Sequence, residues 1–113
     1  MPQRVHVARE LAELLKLLAH PDRIRLIEEL RLGECDVNTL ARRLNLPPSR
    51  LSQHLGLLRA ARLVEERRHG RQHMYYLVQP QIARWIADAL AFVEVRAPAA
   101  LAGEAREVRE LWS

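Results

Sequence analysis

The residues most able to do chemistry lie together in Ser49-Arg50-Leu51-Ser52-Gln53-His54. Ser49, Arg50, Ser52, Gln53 and His54 are short or flexible hydrogen-bonding side chains. That set reads base edges: Arg pairs with guanine, Gln with adenine, and Ser with several bases. Catalytic chemistry is not expected. The chain shows no Ser-His-Asp order in a turn context, no phosphate loop and no clustered carboxylates. Its single Cys and five scattered His make no site without geometry.

The elements around this stretch must present it. Leu51, Leu55 and Leu58 recur at the spacing of one helix face, and Leu57 widens the stripe. The polar residues therefore fall on the other side. Pro47-Pro48 sets where the helix begins, since Pro suits the first turn. Taken alone, this is also the pattern of an ordinary amphipathic surface helix, and its neighbours decide between the two. Upstream, Val37 to Leu44 forms a short helix with Val37, Leu40, Ala41 and Leu44 inward, Asp36 as N-cap and Asn45-Leu46 as a tight turn. Together they predict a helix-turn-helix. Downstream, Leu63–Arg68 and His73–Val78 flank His69-Gly70-Arg71-Gln72, the pattern of a hairpin. Its tip carries Arg67, Arg68, His69, Arg71 and Gln72. A basic hairpin in this place is a wing that can follow the minor groove.

The remaining segments are helical. Residues 7–19 place Val7, Leu11, Leu14, Leu15 and Leu18 on one face, and Arg23 to Leu32 forms a second helix ended by Gly33. From Pro80, the residues Ile82, Trp85, Ile86, Ala89, Leu90 and Val93 recur at helical spacing. This stripe is broader than the domain's core requires, which predicts an interface. Leu11 and Leu15 of the first helix, with Trp85, Ile86, Leu90 and Val93 of the last, are the expected homodimer surface; closure of the monomer core is the alternative. Residues 1–97 form the expected domain, and 98–113 a tail with a short helix from Leu101 to Trp112. The fold class is mainly α with a small β-hairpin.

The charge is uneven. The chain of 113 residues carries +4 overall. Between Arg42 and Arg71, eight Arg stand against Glu65 and Glu66, a local +6. That points to a polyanion, with double-stranded DNA first and an acidic protein or membrane surface behind it. Of 18 cations only Lys16 is Lys. Arg suits phosphate and guanine through its planar fork, although a genome rich in G and C gives the same bias. No apolar run approaches the roughly 20 residues of a membrane span, and no signal peptide is visible. A soluble, cytoplasmic protein is expected. Cys35 is the one cysteine, so a disulfide framework is excluded.

Three ordered pieces resemble one family. Leu14-Leu15-Lys16-Leu17-Leu18-Ala19-His20-Pro21-Asp22-Arg23-Ile24-Arg25-Leu26-Ile27 looks like its first-to-second helix junction. Pro48-Ser49-Arg50-Leu51-Ser52-Gln53-His54-Leu55 through Leu58-Arg59 looks like its recognition helix. Leu63-Val64, Arg67-Arg68-His69-Gly70-Arg71 and Tyr75-Tyr76 look like its wing. Over about residues 11 to 78 the chain resembles the ArsR-type (ArsR/SmtB) bacterial winged helix-turn-helix regulators. The resemblance implies a homodimer on a palindromic operator that represses and lets go when an inducer binds. It places DNA contact on Pro48, Ser49, Arg50, Ser52, Gln53 and His54, and on Arg67, Arg68 and Arg71. Two positions depart from the family pattern. Pro47 stands where members often have Ser, so a side-chain cap is lost. Arg62 stands where Gly often ends the recognition helix, so a different helix end is expected.

Many members sense metals, and this chain departs from both of their site patterns. The position of a closely spaced cysteine pair reads Gly33-Glu34-Cys35-Asp36, with one thiol. The last helix offers Asp88 and Glu94 but no His, a poor set for zinc. A residual set would combine Cys35, Asp36 and His6. No metal and no cofactor are expected. The alternatives to a DNA-binding regulator are a winged-helix protein-interaction module and a Cys35-dependent redox or metal sensor. His69 and His73 read as wing residues near phosphate.

Overall fold

Helix α3 (Val37–Leu44) and helix α4 (Pro48–Ala60) form the helix-turn-helix in the computed structural model, which describes residues 1–112. Asp36 caps α3 by accepting the Thr39 N–H at 3.3 Å. Hydrogen bonding from Thr39, its side chain first, holds the Asp36 carboxyl below the usual carboxylate range. Asn45 ends α3 in the left-handed region at φ 55°, a conformation that its short polar side chain tolerates. Helix α4 starts on Pro48 with Pro47 before it and no side-chain cap, as the missing Ser implies.

The end of α4 corrects the expectation. Arg62 takes φ 62°. Its N–H donates to the Arg59 carbonyl at 2.9 Å, and the Leu63 N–H donates to the Leu58 carbonyl at 2.9 Å. This pair of bonds is the Schellman closure that glycine usually permits. The helix end keeps the glycine-type geometry, and Arg62 carries a left-handed cost on the order of 1 kcal/mol.

Helix α1 (Pro2–Leu18) begins earlier than residue 7, and helix α2 (Pro21–Leu30) begins on Pro21 rather than Arg23. His20 caps α2 by accepting the Asp22 N–H on Nδ1 at 3.1 Å. Three antiparallel strands follow the order β1-β3-β2: β1 (Cys35–Asp36), β2 (Val64–His69) and β3 (Gln72–Leu77). β1 pairs Cys35 with Tyr75 and Asp36 with Met74. It went unread in the sequence because two residues carry no periodicity. Gly70, at φ 61°, supplies the positive φ of the first turn position between β2 and β3.

The core that orients α4 is local and tight. Leu26, Ile27, Leu40, Leu51, Leu55, Leu58 and Val64 are all nearly or wholly inaccessible. Each such side chain contributes roughly 1.5–3 kcal/mol of burial.

The chain divides into two compact units, one spanning Met1–Val78 and one beginning at Gln79. The second holds helix α5 (Gln81–Arg96) and helix α6 (Ala99–Trp112), packed on each other. The expected domain boundary after residue 97 falls at the turn between them. The expected tail is thus a 14-residue helix that buries Ala105 and Trp112. Arg109 locks it to α5 through two bonds to Glu94, at 2.8 and 3.1 Å.

The apolar stripes of α1 and α5 sort unequally. Leu11, Leu15, Trp85 and Val93 are exposed, and Leu90 is half-buried. Ile86 is 7% exposed, which corrects its place in the expected interface. Ala83, Ile86 and Ala87 form the buried i, i+3, i+4 strip of α5, and Trp85 points about 100° away from Ile86.

Candidate nucleic-acid interface

The inner face of α4 buries Leu51, His54, Leu55 and Leu58. With these anchored, Pro48, Ser49, Arg50, Ser52 and Gln53 are exposed side by side over the first turn and a half. Leu57 is also exposed, at 46%, rather than widening the inner stripe as its spacing suggested. The structure therefore gathers five of the six expected recognition-helix residues on one solvent face.

His54 is the exception, and its placement is a correction. It is 6% exposed. Its Nδ1 accepts the Arg23 Nε–H at 3.2 Å, and its Nε2 lies 3.5 Å from Asp22 Oδ2. The ring meets His20 edge-on at 4.6 Å. Burial, then the neighbouring His20 and Arg23, push its pKa below the usual histidine value. His54 thus holds α4 against the start of α2 and lies off the solvent face that carries the other five. The signal was present: residue 54 is three after Leu51 and four before Leu58, on the apolar stripe.

On the wing, Arg67, Arg68 and Arg71 are exposed. They are not equivalent. Arg67 sits 5.0 Å over the Tyr76 ring and 3.8 Å from Glu34, which also meets His69 Nε2 at 3.1 Å. Arg68 and Arg71 form no ion pair among the described residues, nor do Arg50 and Arg62; Arg42 forms none either, but its charge acts on the Asp36 carboxyl. Arg59 is neutralised by Glu65 at 2.8 Å and Glu66 at 3.1 Å, and Arg43 lies 3.7 Å from Glu29. Five of the eight Arg in the basic segment therefore stand outside any ion pair among the described residues.

Glu66 joins helix to wing. It accepts from Arg59, from Tyr75 at 3.2 Å and from His73. The His73 contact, followed by Tyr75 and Arg59, holds its carboxyl below the usual range. His73 is thereby a partner of Glu66 rather than an unengaged phosphate contact. Glu34 and Glu66 were missed because local spacing does not reveal cross-element pairs.

Comparison with known proteins agrees with this architecture. A sequence model of the arsR family of bacterial regulatory proteins matches residues 20–66. The biofilm growth-associated repressor of Agrobacterium fabrum is 42% identical over 86 residues, covering 76% of this chain and 74% of that protein. The chain belongs to the arsR family. This arsR-family chain also superposes on the transcriptional repressor BigR from Xylella fastidiosa with a TM-score of 0.68 and 34% identity, over 87% of this chain and 98% of that one. It shares the fold of the homodimeric winged helix-turn-helix DNA-binding domain Mb0332 from Mycobacterium bovis, at TM-score 0.72 and 24% identity, over 83% of this chain and 87% of that one. It is a winged helix-turn-helix transcriptional regulator.

Neither of the family's metal-site patterns fits this chain. Cys35 is a lone thiol, 6% exposed, and burial raises its pKa. On α5, Glu94 is taken by Arg109 and Arg106. The residual trio of Cys35, Asp36 and His6 is not brought together: among the described residues the one such group is His20, Asp22 and His54. No helix among the described residues is long and apolar enough to cross a membrane.

Proposed function

We propose that this regulator is a homodimeric repressor that reads a palindromic operator and is released by a signal. The observation that carries this reading is the solvent face of α4. Arg50 and Gln53, the bidentate readers of guanine and adenine, stand there with Ser49 and Ser52. Arg68 and Arg71, unpaired on the wing, supply the phosphate and groove contacts. The relatives' names as repressors support the direction of regulation. The exposed apolar side chains Leu11 and Leu15 on α1, and Trp85 and Val93 on α5, support association of two copies. Two-fold symmetry would space the recognition helices about 34 Å apart, one turn of DNA. The burial of Cys35 favours a small core residue over an exposed redox sensor.

The test is binding of the purified protein to the DNA upstream of its own coding sequence. Expected is a sequence-specific complex whose affinity falls by roughly a thousandfold or more between about 50 and 200 mM salt. An affinity unmoved by salt would replace this reading with a protein-interaction module.

A further inference from the structure

We propose that His20, Asp22 and His54 form a binding site for a borderline divalent transition-metal ion such as Zn(II) or Co(II). Two residues come from the α1–α2 junction and one from the buried face of α4. All lie within the first compact unit. One ligand atom from each residue lies within 4.8 Å of the other two. Asp22 Oδ2 is 3.5 Å from His54 Nε2 and 4.0 Å from His20 Nδ1.

Two imidazoles and one carboxylate are the donor set that such ions prefer. Three protein ligands leave a fourth position for water. Zinc–ligand bonds of about 2.0–2.1 Å require the donors to close by roughly an ångström. His20, 40% exposed at its side chain, has room to turn inward; doing so through Nδ1 would give up the Asp22 N–H that this nitrogen now accepts at 3.1 Å.

An independent observation points to a ligand. His54 Nε2 is buried with no well-formed hydrogen bond, and the Asp22 carboxylate faces it only at 3.5 Å. A buried polar atom left in this way calls for a partner, and an ion between the two groups would provide one.

The hydrogen bonding also states what binding must change. Arg23 Nε–H donates to His54 Nδ1 at 3.2 Å, so in this structure the ring proton sits on Nε2. A metal on Nε2 takes that lone pair, and the ring proton moves to Nδ1. Two donors then face each other, and the Arg23 Nε–H leaves the ring. The Arg23 bond to the Leu17 carbonyl, 2.9 Å from Nη1, does not involve the ring. Metal binding would therefore exchange one tie between α2 and α4 for another.

The test is titration of the metal-free full chain with Co(II), followed by competition with Zn(II). Expected is saturable d–d absorption at one ion per chain, lost to Zn(II) and unchanged in Cys35→Ser. His20→Gln and Asp22→Asn, at half-buried positions, should each weaken Co(II) by about tenfold or more. Nitrogen-15 spectra of His54 in the wild-type chain keep the test decisive should a variant fold poorly. The ring proton should be on Nε2 without metal and on Nδ1 with it. Absence of saturable uptake, uptake unchanged in both variants, or uptake that disappears with Cys35 would overturn the site. So would a His54 tautomer that does not respond to the ion. None of these readouts uses DNA, so the metal site and the operator reading fail separately.

Discussion

The Leu63 N–H closes on the Leu58 carbonyl at 2.9 Å, around an Arg62 held at φ 62°. This one contact turns the chain from the recognition helix into the wing. A side chain at such a φ is strained, and glycine is not. Arg62→Gly should therefore raise stability by about 1 kcal/mol. A urea denaturation midpoint that fails to rise would show that the Arg62 side chain recovers the cost elsewhere.

Arg50 and Gln53 should divide labour with Arg71. Arg50→Ala and Gln53→Ala are each expected to cost about 1–3 kcal/mol on the preferred operator and to relax preference at one base position. Arg71→Ala should weaken all sequences alike and flatten the salt slope by about one. Binding to a panel of single-base operator variants at several salt concentrations separates the two behaviours. A wing variant that altered base preference alone would reverse the assignment.

Trp85 and Ile86 are adjacent yet should answer differently. Trp85 is 44% exposed and Ile86 7%. Trp85→Glu or Leu11→Glu should give a folded monomer by light scattering, with circular dichroism retained. Ile86→Ala should leave association intact and destabilise the chain by about 2–5 kcal/mol, as core truncations do. A Trp85→Glu protein that remained dimeric would remove α5 from the interface.

The α5–α6 pair should loosen in acid. The Arg109 guanidinium at Glu94 holds this carboxyl below the usual range. The stabilisation is thus fully present above the ordinary glutamate value, and it is lost as pH falls through the lower folded value. Glu94→Gln should be less stable than wild type near neutrality, with the gap narrowing once pH drops below about 4. A gap independent of pH would mean that the pair contributes shape rather than charge.

Much of the winged helix-turn-helix is legible in the sequence. Helix α3 matched its predicted bounds because Asp36 and the Leu40–Ala41–Leu44 spacing are local signals. The wing was readable from Gly70 and the residues around it. The regulator family was readable because its three motifs stand in order. β1 was not, since two residues pair with β3 only after the chain has crossed α3 and α4. Helix α6 starts at Ala99, two residues before the expected Leu101, and the spacing of its apolar residues does not show what the segment packs on.

The sequence by itself determined the helix-turn-helix, the wing and the concentration of Arg between residues 42 and 71. Those features depend on period and on neighbours three or four residues apart, and a linear chain carries them directly. The tertiary structure alone decided which of those cations remain available. Glu34 takes up Arg67 and His69, and Glu65 with Glu66 takes up Arg59. It also joined His54 to Arg23, 31 residues earlier. These pairings depend on distance and burial between separate elements, which local spacing does not encode. The helical pattern showed that residue 54 lies on a stripe with Leu51 and Leu58; only packing against the first turn of α2 showed what that stripe meets.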